Sequence, residues 1–430
     1  MTHDYDVAIV GAGLAGLSAA RQLSIHGVTC RVIDSADSVG GRVRSDHIDG
    51  FTLDRGFQLY NPAYPEAARV LDHEALRLHA LVRGMNIVRE DRNRRRVIHL
   101  ADPRTVRNWH LSALSKTAGT ILGKARFAAY ARTAATLHGR QFDSRPDEPA
   151  QVALARAGID ATLIDEVLAP FLTGVFLEPH LMTSRRFMDA VLASFVKGSP
   201  SLPAAGMQAI PDQLHHALPE QTVQLSTAAQ SVGSEYVDTE DGRIHARVVI
   251  VATDAPSAAP LVPDAHVKAA GNSVTTWYHA VPTAQLPQPL AAGRAALTVD
   301  PHHRGPLINT VPLSYAVPDY APSGWVLVSS SALGTDSNAE SQVRTHLSWL
   351  YGTDTSSWQF VAHYPIAYAL PSMRPPLRID PPRSFEPVIM AGDHTATASI
   401  QGAMVSGRRA ADEALDRLGV RRADDRRLVS

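Results

Sequence analysis

Apolar and polar positions follow three rhythms along this chain. Val7 to Val10 is an unbroken apolar run, the pattern of a strand buried on both faces of a parallel sheet. Directly behind it Leu17, Ala20 and Leu23 recur at helical spacing. The runs TCRVID, VVIVAT and PVIMAGD repeat the buried-strand pattern, and SIQGAMVSGRRAADEAL predicts a final helix starting near Gln401 or Gly402. Between 271 and 370 the rhythm changes. SVTTWYHAV, RAALTV, PLINTVPL and GWVLVSSSAL are strand-like runs separated by Pro and Gly, and they predict an antiparallel sheet forming one wall of a pocket. The segment 223–256 alternates short strands with turns, including a hairpin at EDG. Residues 149–215 read as helices followed by loops, and 111–137 carries helical periodicity with Lys116, Lys124, Arg126 and Arg132 among its apolar positions.

Bulk composition narrows the class without choosing a function. At 430 residues, with 45% hydrophobic and 19% charged residues, the chain is globular and long enough for two lobes. A net charge of −1 gives no field for nucleic acid. The one cysteine, Cys30, excludes an internal disulfide and a multi-cysteine metal centre; no metal site is expected. The N-terminal apolar run is preceded by Asp4 and Asp6 and broken by glycines, unlike a secretory leader, and no spanning segment is visible, so a cytoplasmic location is expected. The helix at 111–137 keeps a peripheral membrane contact open as an alternative to a place in the substrate lobe.

The chemistry starts at Gly11, Gly13 and Gly16, spaced G-x-G-x-x-G between strand and helix with Leu14 and Ala15 inside the turn. Such a turn lets a pyrophosphate reach backbone N–H groups at a helix N-terminus. Asp34, followed by Ser35, falls about 20 residues later, where a carboxylate can hold a ribose diol. These features predict a dinucleotide, with NAD, NADP and FAD all open.

The next segment, VGGRVRSDHIDGFTLDRGFQLYNPAYP, with Gly40, Gly41 and Arg42, resembles the flavoprotein superfamily of monoamine oxidases, phytoene desaturases and protoporphyrinogen oxidases. Pro203, Gly206 and Met207 fit the same pattern. The resemblance implies FAD. It implies that Arg42 contacts the pyrophosphate, that Gly56, Phe57, Gln58 and Leu59 lie along the flavin, and that Ala229 packs on adenine. It also implies that Gly392 and Asp393 hold the ribityl chain or a phosphate, and that the Gln401, Gly402 and Ala403 backbone faces the pyrimidine edge. No cysteine lies near that last motif, so the FAD is expected to be non-covalent.

The expected fold is α/β (α+β), a Rossmann-like FAD-binding domain (1–75, 200–265, 375–420) with a discontinuous substrate domain of antiparallel sheet and helices (76–199, 266–374), then a tail at 421–430. The expected activity is that of an FAD-dependent oxidoreductase taking a hydride from a C–H or C–N bond of a small or apolar substrate in a desaturase- or dehydrogenase-like reaction. A flavin amine oxidase using oxygen is the first alternative, and a non-redox flavin-dependent isomerase or FAD-binding protein the second. Pocket candidates are Gln58, Tyr60, His279, Tyr364 and Tyr368, with no assigned acid or base. Oligomeric state is not read from these features.

Overall fold

The computed structural model describes residues 3–101, 118–265, 267–286, 295–335, 339–378 and 387–421. Part of the helix expected at 111–137, including Lys116, and nearly all of the tail at 421–430 lie outside the described residues.

Two seven-stranded sheets organise the chain, with strands numbered β1–β18 along it. The first sheet is built on β1 (Tyr5–Val10), flanked in parallel by β2 (Cys30–Ile33) and β12 (Gly242–Val251). β9 (Val223–Gln224) and β18 (Ile389–Met390) extend it, each parallel to its neighbour. The first half of β12 pairs antiparallel with β11 (Tyr236–Thr239) and so closes the hairpin expected at EDG; β10 (Ala229–Val232) lies outside it. Val7, Ile9, Val249, Ile250 and Val251 are fully buried, as a sheet covered on both faces requires.

The second sheet runs β17-β13-β16-β15-β14-β6-β7. Its members are β6 (Gly84–Asp91), β7 (Arg94–Ala101), β13 (Gly271–Pro282), β14 (Leu297–Val299), β15 (Leu307–Pro312), β16 (Trp325–Leu333) and β17 (Gln359–Pro371). The antiparallel sheet expected from 271–370 is therefore larger than those residues: the β6–β7 hairpin joins through a parallel contact between β14 and β6. Arg92 and Asn93 form this hairpin's turn, Arg94, Arg95 and Arg96 open β7, and Arg95 donates to the carbonyls of Trp349 and Leu350 at 2.6 Å, capping the end of the helix Glu340–Tyr351.

The second sheet is covered on both sides. Trp277, Val281, Val326 and Val328 pack on the helix Glu340–Tyr351. Met85, Ile87 and Val299 pack on the helical layer made by Ile121–Ala135, Ala150–Arg156, Ala161–Phe176 and Arg185–Lys197. Strand parity divides the layers: Ile87 belongs to one cluster and its neighbour Val88 to the other. Within Ala161–Phe176 the helix widens to a π turn over Ile164–Leu168. Pro170 follows at once; without an N–H it cannot bond back to residue 166, which explains the irregular turn.

Two small ribbons tie the sheets together. β3 (Ser45–Ile48) pairs with β4 (Phe51–Asp54), and β5 (Leu78–Ala80) with β8 (Ser201–Pro203). Asp54, at the end of β4, is a buried junction. Its carboxylate accepts from Ser45 Oγ at 2.6 Å, Met207 N at 2.8 Å and Tyr320 OH at 3.1 Å, while Tyr278 OH donates to its carbonyl. Burial pushes this carboxyl up to about 6, against the opposing pull of those hydrogen bonds.

Candidate active site

A cavity of about 1260 Å³ runs from the carboxyl ends of β1, β2 and β12 to the second sheet and its helical layer. That is large for one small ligand and suits a cofactor with a substrate beyond it. Its first end is made by the glycine turn after β1, and each glycine there has its own reason. Gly11 has φ +107°, and a Cβ on it would meet Ala252 O at 2.9 Å. A Cβ on Gly16 would sit 1.8 Å from Gly11 O, so only glycine lets the helix Leu14–Ile25 come this close. At Gly13 a Cβ would meet nothing within 4 Å, and the residue lines the cavity: the space left open is space for a ligand. No side chain caps this helix, so its first N–H groups keep their donors for an anion at the cavity wall.

Leu14, Ala15, Asp34, Ser35, Gly40, Gly41, Gly56, Phe57, Leu59 and Ala229 line the same cavity. Asp34 also fixes the turn, accepting from Ala12 N at 2.6 Å and Ala36 N at 2.8 Å. Arg42 lines the wall, but its guanidinium donates to Asp393 at 2.7 Å and to Ala369 O at 2.8 Å, and it lies over the Tyr368 ring. Arg42 and Asp393 thus form a pair at the cavity edge. Gln58 is held by its amide nitrogen, which donates to two carbonyls, Arg42 O at 2.6 Å and Arg55 O at 3.1 Å; among the described residues its amide oxygen has no partner.

The last helix, Ile400–Leu418, closes this end, but its N-terminus sits differently from the expected Gln401-Gly402-Ala403 contact. Ser399 is the cap: its Oγ accepts from Gly402 N at 3.0 Å, and its carbonyl accepts from Ala403 N at 2.9 Å. Helix geometry then leaves the N–H groups of Ile400 and Gln401 as the first-turn donors without an intrahelical acceptor. Gly402 is needed for a different approach, since a Cβ there would stand 1.9 Å from Thr397 O. Ile400, Gln401, Ala403, Gly392 and Asp393 line the cavity, and Gly402 does not.

Of the pocket candidates, Gln58 and Tyr60 line the cavity, and the Tyr60 hydroxyl pairs with His73 Nε2 at 2.7 Å. The other three do not line it. Val274 on β13 faces the cavity, and an odd offset of five residues turns His279 to the opposite face. There it meets Glu340 Oε1 at 3.1 Å, fully buried, and burial pulls its pKa below the ordinary value. Tyr364 donates to Asp46 Oδ2 at 2.9 Å, and Tyr368 is held beneath Arg42.

The far end of the cavity was not read from the sequence. Phe127, Val167, Leu168, Phe171, Val191 and Phe195 come from the helical layer; Val274, Leu297, Asn309, Ser331 and Ile366 come from the second sheet. Thr253, Asp254 and Ser257, just after β12, line the cofactor end; their position beyond the carboxyl end of a buried parallel strand was the available signal. For Asn309 the signal was an Asn inside the strand-like run PLINTVPL, where Asn is disfavoured.

Residues 14–415 match the flavin containing amine oxidoreductase family, and the chain belongs to it. A putrescine oxidase from Kocuria rosea is 44% identical over 71 residues, 16% of this chain and 15% of that protein. Protoporphyrinogen oxidase 2 of Arabidopsis thaliana is 39% identical over 71 residues, 16% of this chain and 14% of that protein. The aligned segments are thus about a seventh of those relatives' lengths. An oxidoreductase from Methanosarcina mazei shares the fold, with a TM-score of 0.69 at 16% identity over 94% of this chain and 99% of that one. The chain thus combines membership of this flavin-containing family with a Rossmann-like α/β portion and a sheet-and-helix portion.

Proposed function

We propose that this member of the flavin containing amine oxidoreductase family is a dehydrogenase or desaturase that takes a hydride from a C–H bond of an apolar, uncharged substrate. The observation that carries this reading is the far wall of the cavity. Among the described residues its lining cations are Arg42, Arg55 and Arg83, with no lysine, and its carboxylates are Asp34, Asp254 and Asp393. All three carboxylates belong to the cofactor end. An ammonium seated among Phe127, Phe171, Val191 and Phe195 would be buried without a counter-charge, which is strongly unfavourable. With Tyr364 bonded to Asp46 and Tyr368 beneath Arg42, the aromatic wall that an amine oxidase reading would use is not available to substrate.

Bound FAD supplies the hydride acceptor. The chain supplies position. We assign the pyrophosphate to the N–H groups at Gly13, Leu14 and Ala15, and the cofactor's far edge to those of Ile400 and Gln401, where a helix N-terminus favours negative charge. The apolar wall orients the substrate and excludes water, and hydride removal from a well-placed C–H bond needs no side-chain base. We further assign residues 1–75, 200–265 and 375–420 to the cofactor unit and the intervening segments to the substrate unit. The cofactor is dissociable in this reading, because Cys30 is buried on β2 and does not line the cavity. Acid precipitation should leave the yellow colour in the supernatant; colour retained on the polypeptide would contradict it.

The decisive experiment is stopped-flow reoxidation of the photoreduced flavin by dissolved oxygen. Slow reoxidation is expected. Fast reoxidation would overturn the proposal in favour of an oxidase and bring amines forward.

A further inference from the structure

We infer that Asn309 is the polar anchor of the substrate cavity and that it selects an apolar substrate carrying a hydroxyl group; this rests on the reading above that the substrate is neutral and apolar. Asn309 sits near the middle of β15, is 4% exposed, and lines the cavity. Among the described residues its amide oxygen has no hydrogen-bond partner. An unsatisfied carboxamide is costly to bury, and natural interiors keep few of them.

The neighbouring polar groups are already engaged. Asn309 pairs in register with Ser331 on β16, and Ser331 pairs with Thr276 on β13, so the three form a row across the sheet. Thr276 Oγ1 meets Ser331 Oγ at 3.3 Å and accepts from Phe57 N at 3.3 Å. The row thus reaches back to the segment expected to run along the flavin, and its outer member is the one left without a partner. Around Asn309 the wall is apolar, with Leu297, Val274, Phe171 and Val175. Gly174 makes room for the amide: a Cβ there would lie 2.7 Å from Asn309 Nδ2.

A carboxamide sets a carbonyl acceptor and an NH2 donor group side by side. A hydroxyl is the smallest group that meets both without bringing in charge: it donates to Oδ1 and accepts from Nδ2. An ammonium could serve only the oxygen and would leave its own charge uncompensated. Asn309 therefore fixes the substrate's register along an otherwise featureless wall, and so which C–H bond faces the cofactor. It is a positioning residue, with no part in the transfer itself.

The test uses the holoenzyme and three probes of one chain length: 1-octanol, octane and octylamine, each titrated against the visible spectrum of the bound flavin. Wild type should bind 1-octanol at least tenfold more tightly than octane. Asn309→Leu should bring the two within about twofold. Gly174→Ala, which crowds the amide without removing it, should also reduce the preference. Because Asn309→Leu removes an unsatisfied polar group, its flavin content and Tm should equal or exceed those of wild type. No octanol preference in wild type, a preference surviving in Asn309→Leu, or a Tm lowered by several degrees in that variant would each overturn the inference. Should Asn309→Leu fail to hold flavin, Asn309→Ala carries the same comparison. Tightest binding by octylamine would overturn the hydroxyl assignment and the neutral-substrate reading together, whereas fast oxygen reactivity with the octanol preference intact would overturn only the reaction class.

Discussion

Gly13→Ala separates the cofactor site from the fold. Gly13 has φ −73° and ψ 179°, a conformation open to any residue, so alanine brings no backbone strain. Its new methyl would meet no protein atom within 4 Å, so the apoprotein should melt as wild type does. The methyl would instead stand in the cavity at the N-terminus of Leu14–Ile25, where we assign the pyrophosphate. A hydrogen bond from a backbone N–H to a charged oxygen contributes about 1.5–3 kcal/mol. Losing one such bond weakens FAD binding roughly 10- to 150-fold, and losing two multiplies the effect. The assay has two arms: thermal melting of the two apoproteins, and FAD titration by flavin fluorescence quenching. Equal melting with an FAD Kd raised at least tenfold is expected. An unchanged Kd would refute the phosphate assignment, and a lower apoprotein Tm would show that the methyl collides with the protein.

Two further substitutions test the frame around that site. Gly407 in the last helix packs against the first: a Cβ there would lie 1.9 Å from Ala15 O, so Gly407→Ala should cost about 1–3 kcal/mol of stability in urea unfolding and lower flavin content as well; wild-type stability would refute the close packing. At Asp54 the folded-state pKa of about 6 exceeds the unfolded value near 3.9, so the folded protein holds this proton more tightly. The resulting stabilisation is full below about pH 4, falls as pH rises to about 6, and stays lost above that. Asp54→Asn keeps a neutral group in place, so its stability relative to wild type should rise by about 2–3 kcal/mol between pH 4 and pH 7; a difference independent of pH would refute the assignment.

The parts of the molecule legible in the sequence are those where local backbone geometry and function coincide. Gly11, Gly13 and Gly16 announce the turn because a left-handed φ, an open space and a helix contact each demand glycine within six residues. The hairpin at EDG and the apolar runs of β1, β12 and β18 were readable from turn chemistry and continuous burial. Face assignment in the second sheet was not readable. β13 is buried on both faces, so its composition does not show that Val274 faces the cavity while His279 faces Glu340. Tyr364 and Tyr368 looked like cavity aromatics from their spacing, but their partners, Asp46 and Arg42, lie more than 300 residues away in sequence. The Ser399 cap shows the same limit on a smaller scale: one side chain, by taking Gly402 N–H, moves the open donors one residue toward the N-terminus.

The two ends of the chain meet through Gly407 and Ala15, and this contact sets cofactor retention apart from substrate selection. The glycine turn and the N-terminus of the last helix bound the same cavity, so the spacing between their helices sets how far apart the two donor groups stand. Bound FAD would bridge those donors and stabilise the folded state according to its occupancy. Among the described residues the far wall has no comparable charge pairs: Phe127, Phe171, Val191 and Phe195 provide shape and dryness, and Asn309 the unsatisfied hydrogen-bonding group. Such a wall can be recut by changing a few apolar side chains without disturbing the cofactor end. Substitutions on the far wall should therefore change substrate selection while leaving FAD affinity within a few-fold of wild type. Substitutions at Gly13, Gly407 or Ser399 should reduce FAD occupancy first and change turnover only through it.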